Sequence, residues 1–127
     1  VNVLFVCVGN SGRSVMAERL FRQAAAGRHA SRSAGSAPHG SGAESAVVEA
    51  LREVGIDASD HVQHRLEDTD IAWTDAVIAA CDGACPVVTG KRYENWGISD
   101  LYGLPVESVR PIRDEIAQRV DELLAGF

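Results

Sequence analysis

Cys7 stands six residues before Arg13 in the run Val6-Cys7-Val8-Gly9-Asn10-Ser11-Gly12-Arg13-Ser14, a spacing that puts a nucleophile and a guanidinium on one short loop. The apolar, β-prone stretch Val3-Leu4-Phe5-Val6 leads into this loop, and a helical pattern starting at Ser14 leads out of it. A loop between a buried strand and a helix N-terminus turns backbone N–H groups toward one point, and the helix dipole adds partial positive charge there. Such a cradle suits a tetrahedral oxyanion, with Val8, Gly9, Asn10, Ser11, Gly12, Arg13 and Ser14 around it and the Arg13 fork on two of its oxygens. The same field favours the thiolate form of Cys7. Asn10 is expected to brace the loop through its amide, and Ser14 to donate a hydrogen bond to Cys7. The plainer reading is a buried cysteine ending a core strand, with Asn10 and Ser14 as helix caps. The turn-forming residues between strand and helix favour the cradle.

Two further groups carry chemistry. Cys81 and Cys85 lie four residues apart in Cys81-Asp82-Gly83-Ala84-Cys85-Pro86, after a buried strand and with a glycine between them. Two thiols at this spacing can bridge if the segment bends, since a disulfide needs Cα atoms within about 7 Å. They are also readable as small buried hydrophobes, or as half of a metal site. The chain has no second Cys/His pair at zinc-like spacing, only His61 and His64, so a redox pair is favoured and no metal is expected. Asp100, in Trp96-Gly97-Ile98-Ser99-Asp100, is a candidate general acid toward a departing oxygen, or else a solvated or capping aspartate. Trp96 reads as packing, and His29 and His39 as surface or loop residues without assigned chemistry.

These residues need elements to position them, and strand and helix patterns alternate along the chain. A helix is expected from about Ser14 to Ala26 with Met16, Ala17, Leu20, Phe21 and Ala24 on one face, ended by Gly27. A short strand around His29 to Ser33 precedes a turn-rich loop to Gly42. A second helix buries Ala43, Ala46, Val47, Ala50, Leu51 and Val54 and stops at Gly55. Glu67 to Trp73 reads as a short helix, Asp75 to Ala80 as a buried strand, and Arg92 to Trp96 as a fourth strand. The last helix is expected to begin near Ser108 to Pro111, because proline suits a first turn. The pattern predicts an α/β fold: one domain over residues 1–127, with a four-stranded parallel sheet covered by helices on both faces. Ligands of such sheets bind beyond the carboxyl ends of the strands, the edge where Cys7, Cys81 and Asp100 all fall.

With 127 residues, 46% hydrophobic and 24% charged, the composition is that of an ordinary globular domain. A net charge of −6 argues against nucleic-acid binding. No apolar run approaches the roughly 18 to 20 residues that span a bilayer, and the first strand is too short for a signal-peptide core, so a cytoplasmic protein without membrane contact is expected. Three cysteines are a poor count for a structural disulfide framework and point to redox chemistry.

Taken together, these pieces resemble the thioredoxin-coupled arsenate reductases, which share the low-molecular-weight protein tyrosine phosphatase fold. The resemblance covers nearly the whole chain: Cys7 to Glu18, Ser33-Ala34-Gly35, His39-Gly40, Glu53 to Asp57, Cys85-Pro86, Trp96-Gly97 with Asp100, and Val109 to Ile116. It implies that the Cys7 thiolate attacks arsenate held by the loop and Arg13 while Asp100 protonates the leaving oxygen. Cys81 then attacks Cys7 with release of arsenite, and Cys85 attacks Cys81. Thioredoxin or a related dithiol protein, drawing ultimately on NADPH, reduces the final disulfide, so no cofactor is bound. Arsenate is the implied substrate, phosphate and sulfate are competing anions, and a monomer is expected. The chain departs from the family in leaving only three residues between Cys81 and Cys85, and in placing Leu101 where a proline usually follows the acid. Some reductases bind potassium beside the loop at positions matching Asn10, Glu18 and Ser33 plus two polar residues. Here those two are Val62 and His64, so no potassium dependence is expected.

Two other functions fit the same residues. A phosphatase would use a Cys7 phosphoenzyme with Asp100 as acid, leaving Cys81 and Cys85 incidental. A redox sensor or oxyanion-binding module would need no proton donor, which the presence of Asp100 argues against.

Overall fold

A computed structural model describes residues 1–81 and 90–127. Cys85 therefore lies outside the described residues. The chain runs β1 (Asn2–Cys7), α1 (Arg13–Ala25), β2 (Ala30–Gly35), α2 (Ser45–Arg52), α3 (Asp68–Trp73), β3 (Ala76–Ala79), β4 (Arg92–Asn95) and α4 (Val106–Ala125). The strands form one sheet in the order β2-β1-β3-β4, and every pairing is parallel. This is the expected architecture.

Strand β1 lies inside the sheet, so its side chains alternate between two buried faces rather than between core and solvent. Val3 and Phe5 enter the larger core with Met16, Leu20 and Phe21 of α1, Leu51 of α2 and Ile116 and Val120 of α4. Leu4 and Val6 enter a smaller cluster with Ala34 and Val77, covered by Leu66, Ile71 and Tyr93. Both faces are covered, unequally. Trp96 is 5% exposed and meets Phe5 edge-on at 5.9 Å between ring centroids, the packing role expected of it.

Some element boundaries differ from the sequence reading. Strand β2 continues through Ala34 to Gly35, because Gly35 pairs with Cys7 on one side and with Arg65 on the other. Helix α4 begins at Val106 after Pro105, not at Ser108 to Pro111. Pro111 lies inside the helix, where it has no N–H to offer the carbonyl of Glu107. Extending β2 to Gly35 matters most for the site, because it aligns the end of β2 with the end of β1.

Candidate active site

Cys7 is the last residue of β1, a free cysteine 2% exposed at the floor of a pocket of about 260 Å³. The loop that follows is fixed by Asn10. This residue is fully buried and takes φ +52°, a left-handed conformation that asparagine tolerates better than most residues. Its main-chain N–H donates to Cys7 Sγ at 3.3 Å. Its side-chain amide donates to Ser14 Oγ at 2.9 Å and Ser33 Oγ at 3.0 Å, and Oδ1 accepts from the main-chain N–H of His64 at 2.9 Å. Ser14 Oγ lies 2.9 Å from Cys7 Sγ. With its lone pairs receiving the Asn10 amide, the Ser14 hydroxyl has its proton to give to sulfur.

Two histidines brace this loop from behind. His61 Nε2 lies 2.8 Å from the Asn10 carbonyl, which can only accept. Burial lowers the pKa of His61 below the ordinary histidine value, so the neutral ring with its proton on Nε2 suits that bond. His64 Nε2 pairs at 2.8 Å with Asp70, a carboxylate 3% exposed at the start of α3. Among the described residues no cluster of three or more His, Cys, Asp or Glu side chains could hold a metal ion. These histidines brace a loop instead.

Close approach explains two glycines. A Cβ on Gly35 would fall 2.6 Å from the Val8 carbonyl oxygen, so β2 could not lie against the loop with any other residue there. A Cβ on Gly12 would fall 2.5 Å from Leu101 Cδ1. Leu101 is 1% exposed and sits against Gly12 as a peg beside Asp100.

Arg13, the first residue of α1, is 7% exposed and donates from Nη1 to the Ile98 carbonyl at 3.1 Å. The pocket is lined by Cys7, Val8, Gly9, Ser11, Gly12, Arg13 and Asp100, together with His39, Glu44, Leu101 and Tyr102. Thus the structure brings the expected nucleophile, loop, guanidinium and acid to one cavity, with Asn10 and Ser14 beneath its floor. Asp100 is exposed at the rim, where Oδ1 accepts from the Tyr102 N–H at 3.0 Å. Cys81 follows β3 one strand over, 1% exposed, with Sγ 3.9 Å from the carbonyl oxygen of Val6, the neighbour of Cys7.

Four lining residues are additions to the sequence reading. His39 is the exposed loop residue expected, and it also faces Tyr102 across the mouth with ring centroids 6.3 Å apart. Glu44 caps α2, and Leu101 and Tyr102 follow Asp100 in the chain. Only Glu44 left a signal, an acid at the position where a helix pattern starts after a glycine-rich turn.

Glu18, at a position matching the potassium site of some reductases, has its charge met by protein. Arg22 donates to its two oxygens at 2.7 and 3.0 Å, and Ser31 Oγ donates at 2.6 Å. A guanidinium already occupies the carboxylate, so these residues do not fit a bound cation.

The low molecular weight phosphotyrosine protein phosphatase family matches residues 2–127. The arsenate reductase of Staphylococcus aureus is 36% identical over 118 residues, spanning 90% of this chain and 88% of its own. Among solved structures, the low molecular weight protein tyrosine phosphatase from T. tengcongensis superposes with a TM-score of 0.89 at 30% identity, covering 100% of this chain and 99% of its own. The thioredoxin-dependent arsenate reductase of Corynebacterium glutamicum superposes at 0.81 with 37% identity, covering 98% of this chain and 60% of its own. No helix among the described residues is long and apolar enough to cross a membrane.

Proposed function

We propose that this chain, which belongs to the low molecular weight phosphotyrosine protein phosphatase family, reduces arsenate to arsenite through a relay of three thiols. Arsenate enters the pocket, and the Cys7 thiolate attacks arsenic while Asp100 gives a proton to the leaving oxygen, which departs as water. Arg13 and the loop N–H groups hold the remaining oxygens. Cys81 then attacks Cys7 Sγ; the sulfur–arsenic bond breaks and its electron pair stays on arsenic, which leaves as arsenite. Cys85 attacks Cys81, and the Cys7 thiolate is restored. An external dithiol protein such as thioredoxin, supplied by NADPH, reduces the Cys81–Cys85 disulfide, and the chain itself carries no bound cofactor. Phosphate and sulfate compete for the same cradle, and potassium leaves the rate unchanged.

The observation that carries this reading is the position of Cys81, beside the main chain that delivers Cys7. The test is arsenate-dependent NADPH oxidation in the presence of thioredoxin and its reductase. Cys81→Ser should lower turnover at least about a hundredfold, because the adduct on Cys7 loses its resolving thiol. Turnover retained in Cys81→Ser would overturn the relay.

A second reading is supported by the two rings at the mouth. His39 and Tyr102 flank the entrance, an aromatic slot that suits an aryl phosphate ester. Hydrolysis would run through a Cys7 phosphoenzyme with Asp100 as the acid, and would survive Cys81→Ser. Phosphotyrosine hydrolysis much faster than arsenate reduction would make the chain a phosphatase.

A further inference from the structure

Glu44 stands out because its charge works against the pocket it lines. A carboxylate beside an oxyanion site repels the ligand, and burial together with the nearby Asp100 raises the pKa of Glu44 above the ordinary glutamate value. Its geometry supplies what its charge does not. The main-chain N–H of Glu44 donates to the Ser11 carbonyl at 2.9 Å, which ties the start of α2 to the oxyanion loop. Its side-chain Oε1 accepts from the Gly103 N–H at 3.2 Å, which ties the same residue to the loop that carries Asp100. Oε2 faces Gly12, 3.0 Å from where a Cβ would stand. Leu101 packs on that same glycine, so the acid loop is pegged at Gly12 and pinned at Gly103.

We propose that Glu44 is a positioning residue that spans the two loops, holding the Asp100 loop at a fixed distance from the Cys7 loop. This rests on Asp100 being the acid of the reaction. Glu44 touches neither sulfur nor the reacting oxygen and acts only through the loop it holds. A neutral acceptor of the same length should therefore serve nearly as well, and a shorter side chain should not.

The test is a double-mutant cycle on arsenate turnover, with phosphate inhibition and thermal midpoint measured for each variant. Glu44→Ala should lower kcat about tenfold, the scale of a misplaced catalytic group, while phosphate inhibits as well as or better than before because a negative charge has gone. Glu44→Gln should recover most of the loss. In an Asp100→Asn background the further effect of Glu44→Ala should fall below about twofold, since a positioning residue has nothing left to position. Should Glu44→Ala not fold, Glu44→Asp, whose arm is too short to reach Gly103, replaces it with the same expectation. Equal losses in both backgrounds, or Glu44→Gln as damaging as Glu44→Ala, would overturn the proposal while leaving the acid in place. An Asp100→Asn enzyme with unchanged turnover would instead overturn the reading of Asp100 and the Glu44 proposal with it.

Discussion

Between Cys7 and Ser14 the chain is held by polar contacts. Asn10 bonds to Cys7, Ser14, Ser33, His61 and His64, and the ends of β1 and β2 run alongside each other as far as Gly35. Between Trp96 and Leu104 the chain is held instead by apolar side chains. Trp96, Ile98 and Leu101 are buried, while Asp100 is exposed, and the polar ties to the rest of the fold include Trp96 to Ala79, Arg13 to Ile98 and Gly103 to Glu44. The contrast suits the roles proposed for the two loops, an oxyanion cradle after Cys7 and a general acid at Asp100. An oxyanion cradle works only if its dipoles are fixed before the anion arrives, and buried hydrogen bonds fix them. An acid must reload its proton from solvent, so it belongs on an exposed segment anchored by neighbours on either side.

The contrast can be tested from each side. Asn10→Ala should have the largest effect, costing about 3 kcal/mol of stability because it removes the acceptor of the His64 N–H and the amide that bonds the Ser14 and Ser33 hydroxyls. Phosphate affinity should fall with it, and urea unfolding with phosphate inhibition measures both. A loss confined to turnover would break the distinction between the loops. Leu101→Ala should act differently, costing about 2 kcal/mol as a cavity and lowering turnover about tenfold with phosphate inhibition little changed. Steady-state kinetics separate the two outcomes, and weakened phosphate binding would show that the peg at Gly12 also shapes the cradle.

The smallest effect is a pH dependence on the cradle side. The native pKa of His61 is below its unfolded value, so the unfolded chain takes up the proton more readily. The contribution of His61 to stability is therefore complete above about pH 6.5 and is lost as pH falls through the lower native value. Chemical denaturation from pH 8 to 5 should show a fall that is shallower in His61→Gln. An identical fall would remove His61 from the bracing of Asn10.

The cradle was legible in the sequence because its chemistry is local. Cys7, the turn residues and Arg13 lie within one strand–loop–helix unit, and alternation of elements placed Cys81 and Asp100 at the same sheet edge. The pocket walls were less legible, because they are made by contacts distant in the chain. Glu44 meets Gly103 across 59 residues and His61 meets Asn10 across 51, and neither pairing has a periodicity to announce it. His39 looked like a loop residue since it is one by exposure, and only the approach of Tyr102 gives it a role. Pro111 misled for another reason. A proline at a helix start is a preference, and this helix starts instead at Val106, with Pro105 as its N-cap.

The most direct test of the central claim, that Cys7 hands its oxidation to Cys81, is mass spectrometry of the reduced protein after one arsenate turnover without reductant. The relay predicts a Cys81–Cys85 disulfide with the Cys7 thiol regained, and, in Cys81→Ser, no disulfide at all. Three intact thiols after exposure to arsenate, beside rapid hydrolysis of a phosphotyrosine peptide, would contradict it.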